Sequence, residues 1–132
     1  MIRTGRLKSM KHKMTFERSH CPITIVLNTL GDKWTLLVVR DLVLGKSRYQ
    51  EFMASPERIA SNILADRLKK LGDAGLVTRR AYQEKPARYE YCLTRKGNGL
   101  KTVLQAIIAW GKKHYPGARV FPPIKRSKAR SP

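Results

Sequence analysis

Between Ile59 and Leu93 the chain passes directly from a helical hydrophobic period into a strand period, and this switch limits the available folds more than any other feature. Over Ile59 to Ala74, Ile63, Leu64, Leu68 and Leu71 fall on one stripe of a helix, and Gly75 stops it. Leu76 to Tyr82 and Arg88 to Leu93 then alternate as strands do, and Gln83 to Ala87 joins them across Pro86. The spacing predicts an amphipathic helix followed at once by an antiparallel hairpin.

Upstream, Pro22 suits the first turn of a helix, Ile23, Val26, Leu27 and Leu30 follow at helical spacing, and Gly31 is a C-cap. Asp32 is placed to cap a second helix in which Trp34, Leu37, Val38, Asp41 and Leu42 recur near a 3.6 period, with Asp41 alone interrupting the apolar face. Gly45 ends that helix, Lys46 to Arg48 reads as one short strand, Tyr49 to Ala54 as a short helix displaying Phe52 and Met53, and Ser55-Pro56 as the turn. After the hairpin, Thr94 caps a last long helix from Arg95 to about Tyr115. This order gives the fold class: α+β, mostly helical, a winged helix-turn-helix whose wing is a small antiparallel β-hairpin. Residues 20–115 form the folded domain, between a basic arm at 1–19 and a basic, proline-rich tail at 116–132.

The charge distribution fits that plan. Among 132 residues there are 28 Lys and Arg against 9 Asp and Glu, a net charge of +19. Residues 1–20 carry six basic residues against Glu17 alone, residues 112–132 carry seven against none, and the stretch between holds fifteen against eight. A basic domain between basic tails suits a polyanionic partner, to which binding is driven by counterion release at phosphates. Charge by itself serves DNA, RNA and an anionic membrane equally. The longest run of large apolar residues, Leu36 to Val39, is ended by Arg40 and cannot span a bilayer, and the basic N-terminus lacks a signal peptide's apolar stretch. Cys21 and Cys92 lie far apart without C-x-x-C spacing, so no metal site, cofactor or disulfide framework is indicated and a cytoplasmic, nucleoid-associated location is expected.

If the stripe of the fourth helix faces the core, Ser61, Asn62, Ala65, Asp66 and Lys69 face solvent. In helix-turn-helix docking this helix enters the major groove, where Asn pairs with adenine, Asp with the cytosine amino group and Ala with a thymine methyl. The plainer alternative is the polar face of a surface helix. In the hairpin, Tyr89, Tyr91 and Leu93 share an inward face and Arg88, Glu90 and Cys92 the other. Lys85 and Arg88 flank Pro86 at the tip, where they reach phosphates or a narrow minor groove, or else serve solubility. Lys33, beside Asp32, is a further cationic candidate. Along the last helix Leu100, Val103, Leu104, Ile107 and Ile108, with Trp110 beside them, make a stripe too wide for one small domain. A second copy of the chain is the economical cover, pairing two recognition helices with the half-sites of a palindrome.

Taken together, Cys21-Pro22, Gly31-Asp32-Lys33-Trp34-Thr35-Leu36-Leu37, Arg48-Tyr49-x-x-Phe52, Ile59-Ala60-x-Asn62-Ile63-Leu64-x-x-Arg67-Leu68-x-x-Leu71-x-x-x-Gly75-Leu76-Val77 and Arg88-Tyr89-Glu90-Tyr91-x-Leu93-Thr94-x-x-Gly97 resemble the HxlR-type transcriptional regulators, relatives of the MarR group. The resemblance covers about residues 20–111 and implies a homodimeric regulator of operator DNA. It implies contact between dimer partners through the first and last helices, here Ile23, Val26 and Leu27 with Val103, Leu104, Ile107, Ile108 and Trp110. It also implies an exposed reading face carrying Asn62, Ala65, Asp66 and Lys69, with Arg67, at a position usually arginine, counted among the DNA-binding residues. Ala60 departs from the serine frequent in the family, so Ser61 would have to cap the helix one residue later. Some such regulators sense oxidants or electrophiles through a cysteine equivalent to Cys21, so an oxidant or small-molecule effector is implied. Independently, the start of the first helix and the neighbouring Arg18 and His20 favour a thiolate at Cys21, against the plainer reading of a packing residue.

Enzymatic readings find little support. His12, His20 and His114 lie in or beside the tails, adjacent His20 and Cys21 are poorly disposed for proton transfer, and there is no phosphate loop, paired-carboxylate motif or nucleophile elbow. Two other classes stay open on sequence grounds: a small basic RNA-binding or ribosome-associated protein, which would want exposed aromatics for stacking, and an architectural protein coating DNA without sequence preference.

Overall fold

The computed structural model describes residues 19–120; most of the expected basic arm, 1–18, and of the tail, 121–132, lies outside them. The order is α1 (Pro22–Leu30), α2 (Thr35–Val43), α3 (Tyr49–Met53), α4 (Ser61–Asp73), β1 (Val77–Glu84), β2 (Ala87–Leu93), α5 (Arg95–Asn98) and α6 (Lys101–His114). It is the mostly helical α+β arrangement with one antiparallel hairpin that the sequence predicts.

The core gathers around α2 and α4. Val38, Val39 and Leu42 of α2 meet Phe52 of α3, Ile59 of the following turn, Leu64, Leu68 and Leu71 of α4, and Leu76, Val77 and Tyr91 of the hairpin. Phe52, Leu64, Leu71 and Val39 are fully buried, and burial of each such side chain contributes about 1.5–3 kcal/mol. Ile63 is half-buried at the edge, and Ile59 reaches the core from the turn rather than from the helix. At the end of α4, Gly75 has φ +80°, its N–H bonds to the Gly72 carbonyl at 3.0 Å, and Leu76 N–H reaches back to Leu71 O at 2.9 Å. This is a Schellman ending, and the buried Leu71 and Leu76 supply its hydrophobic contact.

Three expectations need correction. The strand expected at Lys46 to Arg48 shrinks to one bond, Tyr91 N–H to Ser47 O at 2.8 Å, because the Glu51 carboxylate accepts from Ser47 and Arg48 N–H and draws the segment into α3. The long last helix is broken into α5 and α6. Thr94 caps α5 by accepting from Gly97 N–H, as expected, but Gly97 lies so close to the Leu76 carbonyl that a Cβ there would stand 2.1 Å from the oxygen. Gly99 ends α5 one turn later, since two glycines in three residues favour a break. Finally, Glu90 is buried although it sits on the outward face of β2, because Arg80 at 2.8 Å and Arg48 at 3.2 Å close over its carboxylate.

Asp41, the charge inside the apolar face of α2, is buried and satisfied. It accepts from Ser55 Oγ at 2.7 Å and pairs with Arg40 at 2.9 Å, while Arg40 also grips Glu57 at 2.8 Å. A buried carboxylate would otherwise be strongly destabilising; here it fastens α2 to the turn between α3 and α4.

Asp32 does more than cap. Its Oδ2 accepts from Trp34 and Thr35 N–H at 2.9 and 3.1 Å, its Oδ1 takes the Thr35 hydroxyl, and Arg67 Nε of α4 donates to it at 2.8 Å. Partial burial pushes this carboxyl up, but the bonds from Thr35, Arg67 and the backbone outweigh it and hold Asp32 well below the usual carboxylate range. A folded value below the unfolded one of about 3.9 means the contribution is complete above about pH 5 and fades as pH falls below about 4. Asp32→Ala is expected to cost about 1–2 kcal/mol at neutral pH, read by urea unfolding, and the gap from wild type should narrow at pH 3. A gap that stays constant with pH would remove the carboxylate from this role.

Candidate nucleic-acid interface

Burial of Leu64, Leu68 and Leu71 fixes the rotation of α4, and Ser61, Asn62, Ala65, Asp66 and Lys69 are all exposed on its other side. Ala60 occupies the cap position and Ser61 is the first helical residue, so the expected Ser61 cap does not form and α4 starts without a side-chain acceptor for its first amides. Asp66 is paired with the neighbouring Arg67 and, at 3.6 Å, with Lys70, while Lys69 pairs with Asp73 at 3.0 Å. Exposed pairs of this kind are worth no more than about 0.5 kcal/mol, so they yield readily to a stronger partner.

Arg67 stands apart from the other α4 residues. Its guanidinium is mostly covered and held by Asp32 and Asp66, and these contacts, Asp32 first, raise its pKa above the ordinary value. In this structure it fastens α4 to the loop before α2. Lys33 is exposed on that loop, its Nζ 5.5 Å from the Trp34 ring.

The hairpin pairs Val77 with Leu93 through Ala81 with Tyr89, then slips at Tyr82 so that Gln83 meets Arg88 and Glu84 meets Ala87. Lys85 and Arg88 are exposed at its tip, where Gln83 Nε2 donates to Pro86 O at 3.0 Å. Tyr91 is buried, as the alternation predicts, and its ring lies 6.1 Å from that of Tyr49. Tyr89 is only half-buried, with the Arg79 guanidinium 3.9 Å above it, and Arg48 lies 3.7 Å from the Tyr82 ring. In the sequence Arg48 stood only as part of a motif, and Arg79 and Arg80 had no role. The adjacent Arg79-Arg80 pair in a strand was the available signal, since period-two alternation sends one arginine to each face.

Two further features lie outside α4 and the wing. On α1, Ile23 is 68% exposed and Val26 and Leu27 about half; on α6, Val103, Ile107, Ile108 and Trp110 are exposed and no residue is buried. Leu104 is half-buried and, with Leu100, packs against the chain's own core. Cys21 is an exposed free thiol at the entrance of α1, and hydrogen bonds from Thr24 and Ile23 backbone N–H lower its pKa. Cys92 is also free and exposed, on the wing.

Among the described residues no helix is long and apolar enough to cross a membrane. The profile of the HxlR-like helix-turn-helix family matches residues 29–118. An HTH-type transcriptional regulator of Methanothermobacter thermautotrophicus is 37% identical over 94 residues, spanning 71% of this chain and 72% of its own. The reduced form of the transcriptional regulator YodB from B. subtilis superposes with a TM-score of 0.61 at 31% identity, covering 75% of this chain and 98% of that one. The redox regulator HypR in its oxidised form gives 0.64 at 30% identity, with 71% and 97% covered. The chain is therefore not an enzyme by kinship: it belongs to the HxlR-like helix-turn-helix family of transcriptional regulators.

Proposed function

We propose that the protein acts as a homodimer on twofold-related operator sites in duplex DNA, on the nucleoid in the cytoplasm, and that oxidants or electrophiles reach it through Cys21. The observation that carries the DNA reading is the clamped rotation of α4, which holds Ser61, Asn62, Ala65 and Asp66 together on one exposed face beside a cationic wing. Such a face suits base edges in the major groove, with Lys33, Lys69, Lys85 and Arg88 serving phosphates. Arg67 supports recognition from behind, by orienting α4. Against the RNA-binding alternative, Tyr91 is buried and Tyr89 lies under Arg79, and the aromatics that stay exposed, Tyr82, Trp110 and Tyr115, are split between the wing and the end of α6 instead of forming one stacking platform.

Readers and anchors respond differently. Asn62→Ala is expected to cost about 1–3 kcal/mol on the operator and to relax preference at one base pair. Arg88→Ala should weaken operator and random duplex alike and reduce the salt slope by about one unit. Gel shifts across a salt series separate the two, and equal losses for Asn62→Ala on both DNAs would take it off the reading face.

The dimer reading rests on the apolar faces of α1 and α6. Ile23, Val26 and Leu27 on α1 and Val103, Ile107, Ile108 and Trp110 on α6 are all exposed, more large apolar side chains than a small soluble monomer normally leaves wet. Leu104 lies at the inner edge of that face. Ile107→Glu should sediment as a monomer and lose at least about tenfold in operator affinity, because one half-site then binds without the other. A dimeric Ile107→Glu protein would move the interface elsewhere.

For the switch, an exposed thiol favoured as thiolate stands at the start of a helix belonging to that interface. Oxidation or alkylation there would shift α1 and with it the spacing of the two α4 helices. Diamide or a quinone should alter operator binding by wild type and leave Cys21→Ser unaffected. An equal response from both proteins, or none from either, leaves Cys21 structural.

A further inference from the structure

A cleft of about 400 Å³ opens along the wing, where the start of α3 faces the hairpin. Its lining includes three arginines, Arg48, Arg79 and Arg88, and four tyrosines, and it contains no carboxylate. Nothing in the preceding assignment of reading and anchoring residues uses Arg48, Arg79 or the tyrosines.

Charge and geometry together define what this cleft would hold. Arg48 is the one lining arginine with a carboxylate partner, Glu90 at 3.2 Å; among the described residues neither Arg79 nor Arg88 has an ion pair. The cleft therefore concentrates uncompensated positive charge. Arg79 and Arg48 each hold the guanidinium carbon over a tyrosyl ring, 3.9 Å from the centroid of Tyr89 and 3.7 Å from that of Tyr82. Arg48 commits its Nε and Nη2 to Glu90, whereas Arg79 keeps its N–H edge, the fork that grips two oxygens of one anion. The two arginines also occupy one face each of Tyr82 and Tyr89, and with no carboxylate in the lining the cleft offers oxyanion donors. Tyr49, whose hydroxyl is kept protonated by burial and by the neighbouring Tyr91, adds a neutral phenol to the same wall.

We propose that this cleft is a second backbone anchor, in which Arg79 and Arg88, buttressed by Tyr89, clamp a phosphodiester of the duplex between the wing and the first helix of the helix-turn-helix. The clamp rests on the DNA-binding reading and deepens it. It reads no base, so it acts on any duplex, and it ties the wing to α3 so that wing and α4 meet the DNA as one unit. Tyr89 is a positioning residue here: it holds Arg79 and does not itself touch phosphate.

The test uses the full chain and a fluorescein-labelled duplex of random sequence, with anisotropy followed across a salt series. Arg79→Ala should lose about eightfold in affinity near 0.1 M salt and about 0.9 unit of salt slope, the value for one phosphate. Arg95→Ala, an equal loss of charge at an exposed position outside the cleft, should do neither. Tyr89→Leu, which leaves net charge untouched, should weaken binding about two- to fivefold with the slope retained. If wild type binds duplex and Arg79→Ala matches Arg95→Ala, the clamp is wrong and the DNA reading survives; if wild type binds no duplex, the DNA reading itself falls. Benzoate held in the cleft more tightly than inorganic phosphate, lost in Arg79→Ala without change in duplex affinity, would reassign the cleft to aromatic acids.

Discussion

Everything this protein presents to a partner depends on how α4 is rotated about its axis. Leu64, Leu68 and Leu71 are driven into the space between α2, Phe52 and the hairpin, and a turn of the helix by one residue would carry them about 100° out of that space. The cost would be several kcal/mol, since each is fully or almost fully buried. No exposed ion pair could compensate. The exposed set Asn62, Ala65, Asp66 and Lys69 is thus chosen by the leucines on the opposite side.

Packing fixes the rotation, and paired charges fix the position. In a chain with 28 basic residues against 9 acidic ones, three of the carboxylates stand at joints between elements. Asp32 ties the start of α2 to Arg67 on α4, Asp41 with Arg40 ties α2 to the turn after α3, and Glu90 ties β2 to Arg48 before α3 and Arg80 on β1. Each joint links elements distant in sequence, and each consumes cations that would otherwise face solvent. The basic residues left over at the wing, Lys85, Arg88 and Arg79, are those without a carboxylate partner among the described residues. Acidic residues therefore sort the arginines into paired and unpaired ones, and Arg79 and Arg88 of the hairpin are among the unpaired.

The apolar surface is divided in a similar way. Leu30 of α1, and Leu100 and Leu104 before and in α6, turn toward the protein's own core, while Ile23, Val26, Leu27, Val103, Ile107 and Trp110 remain outside. The break at Gly97 to Gly99 matters here. It frees α6 from the direction imposed by Thr94 and Gly97 against Leu76, so the long helix leans on α2 with one edge and leaves its remaining width uncovered.

Local pattern was enough to determine much of this protein. The helix stripes, the stop at Gly75 and the inward Tyr91 all follow from spacings within a dozen or so residues, because period and capping are properties of the nearby chain. The exposed residues of α4 were legible for the same reason. What the tertiary structure alone decided are the partners. Arg67 stood in the sequence only as a candidate DNA-binding residue, and its bond to Asp32, thirty-five residues away, is a feature of the packing. Glu90 reads as an outward strand residue, yet Arg48, forty-two residues upstream, covers it. Arg79 gained its place over Tyr89 only when the hairpin register was set. Helical and strand periods encode which way a side chain points; which distant charge it finds there is set by how the elements pack, and a one-dimensional spacing carries no record of that.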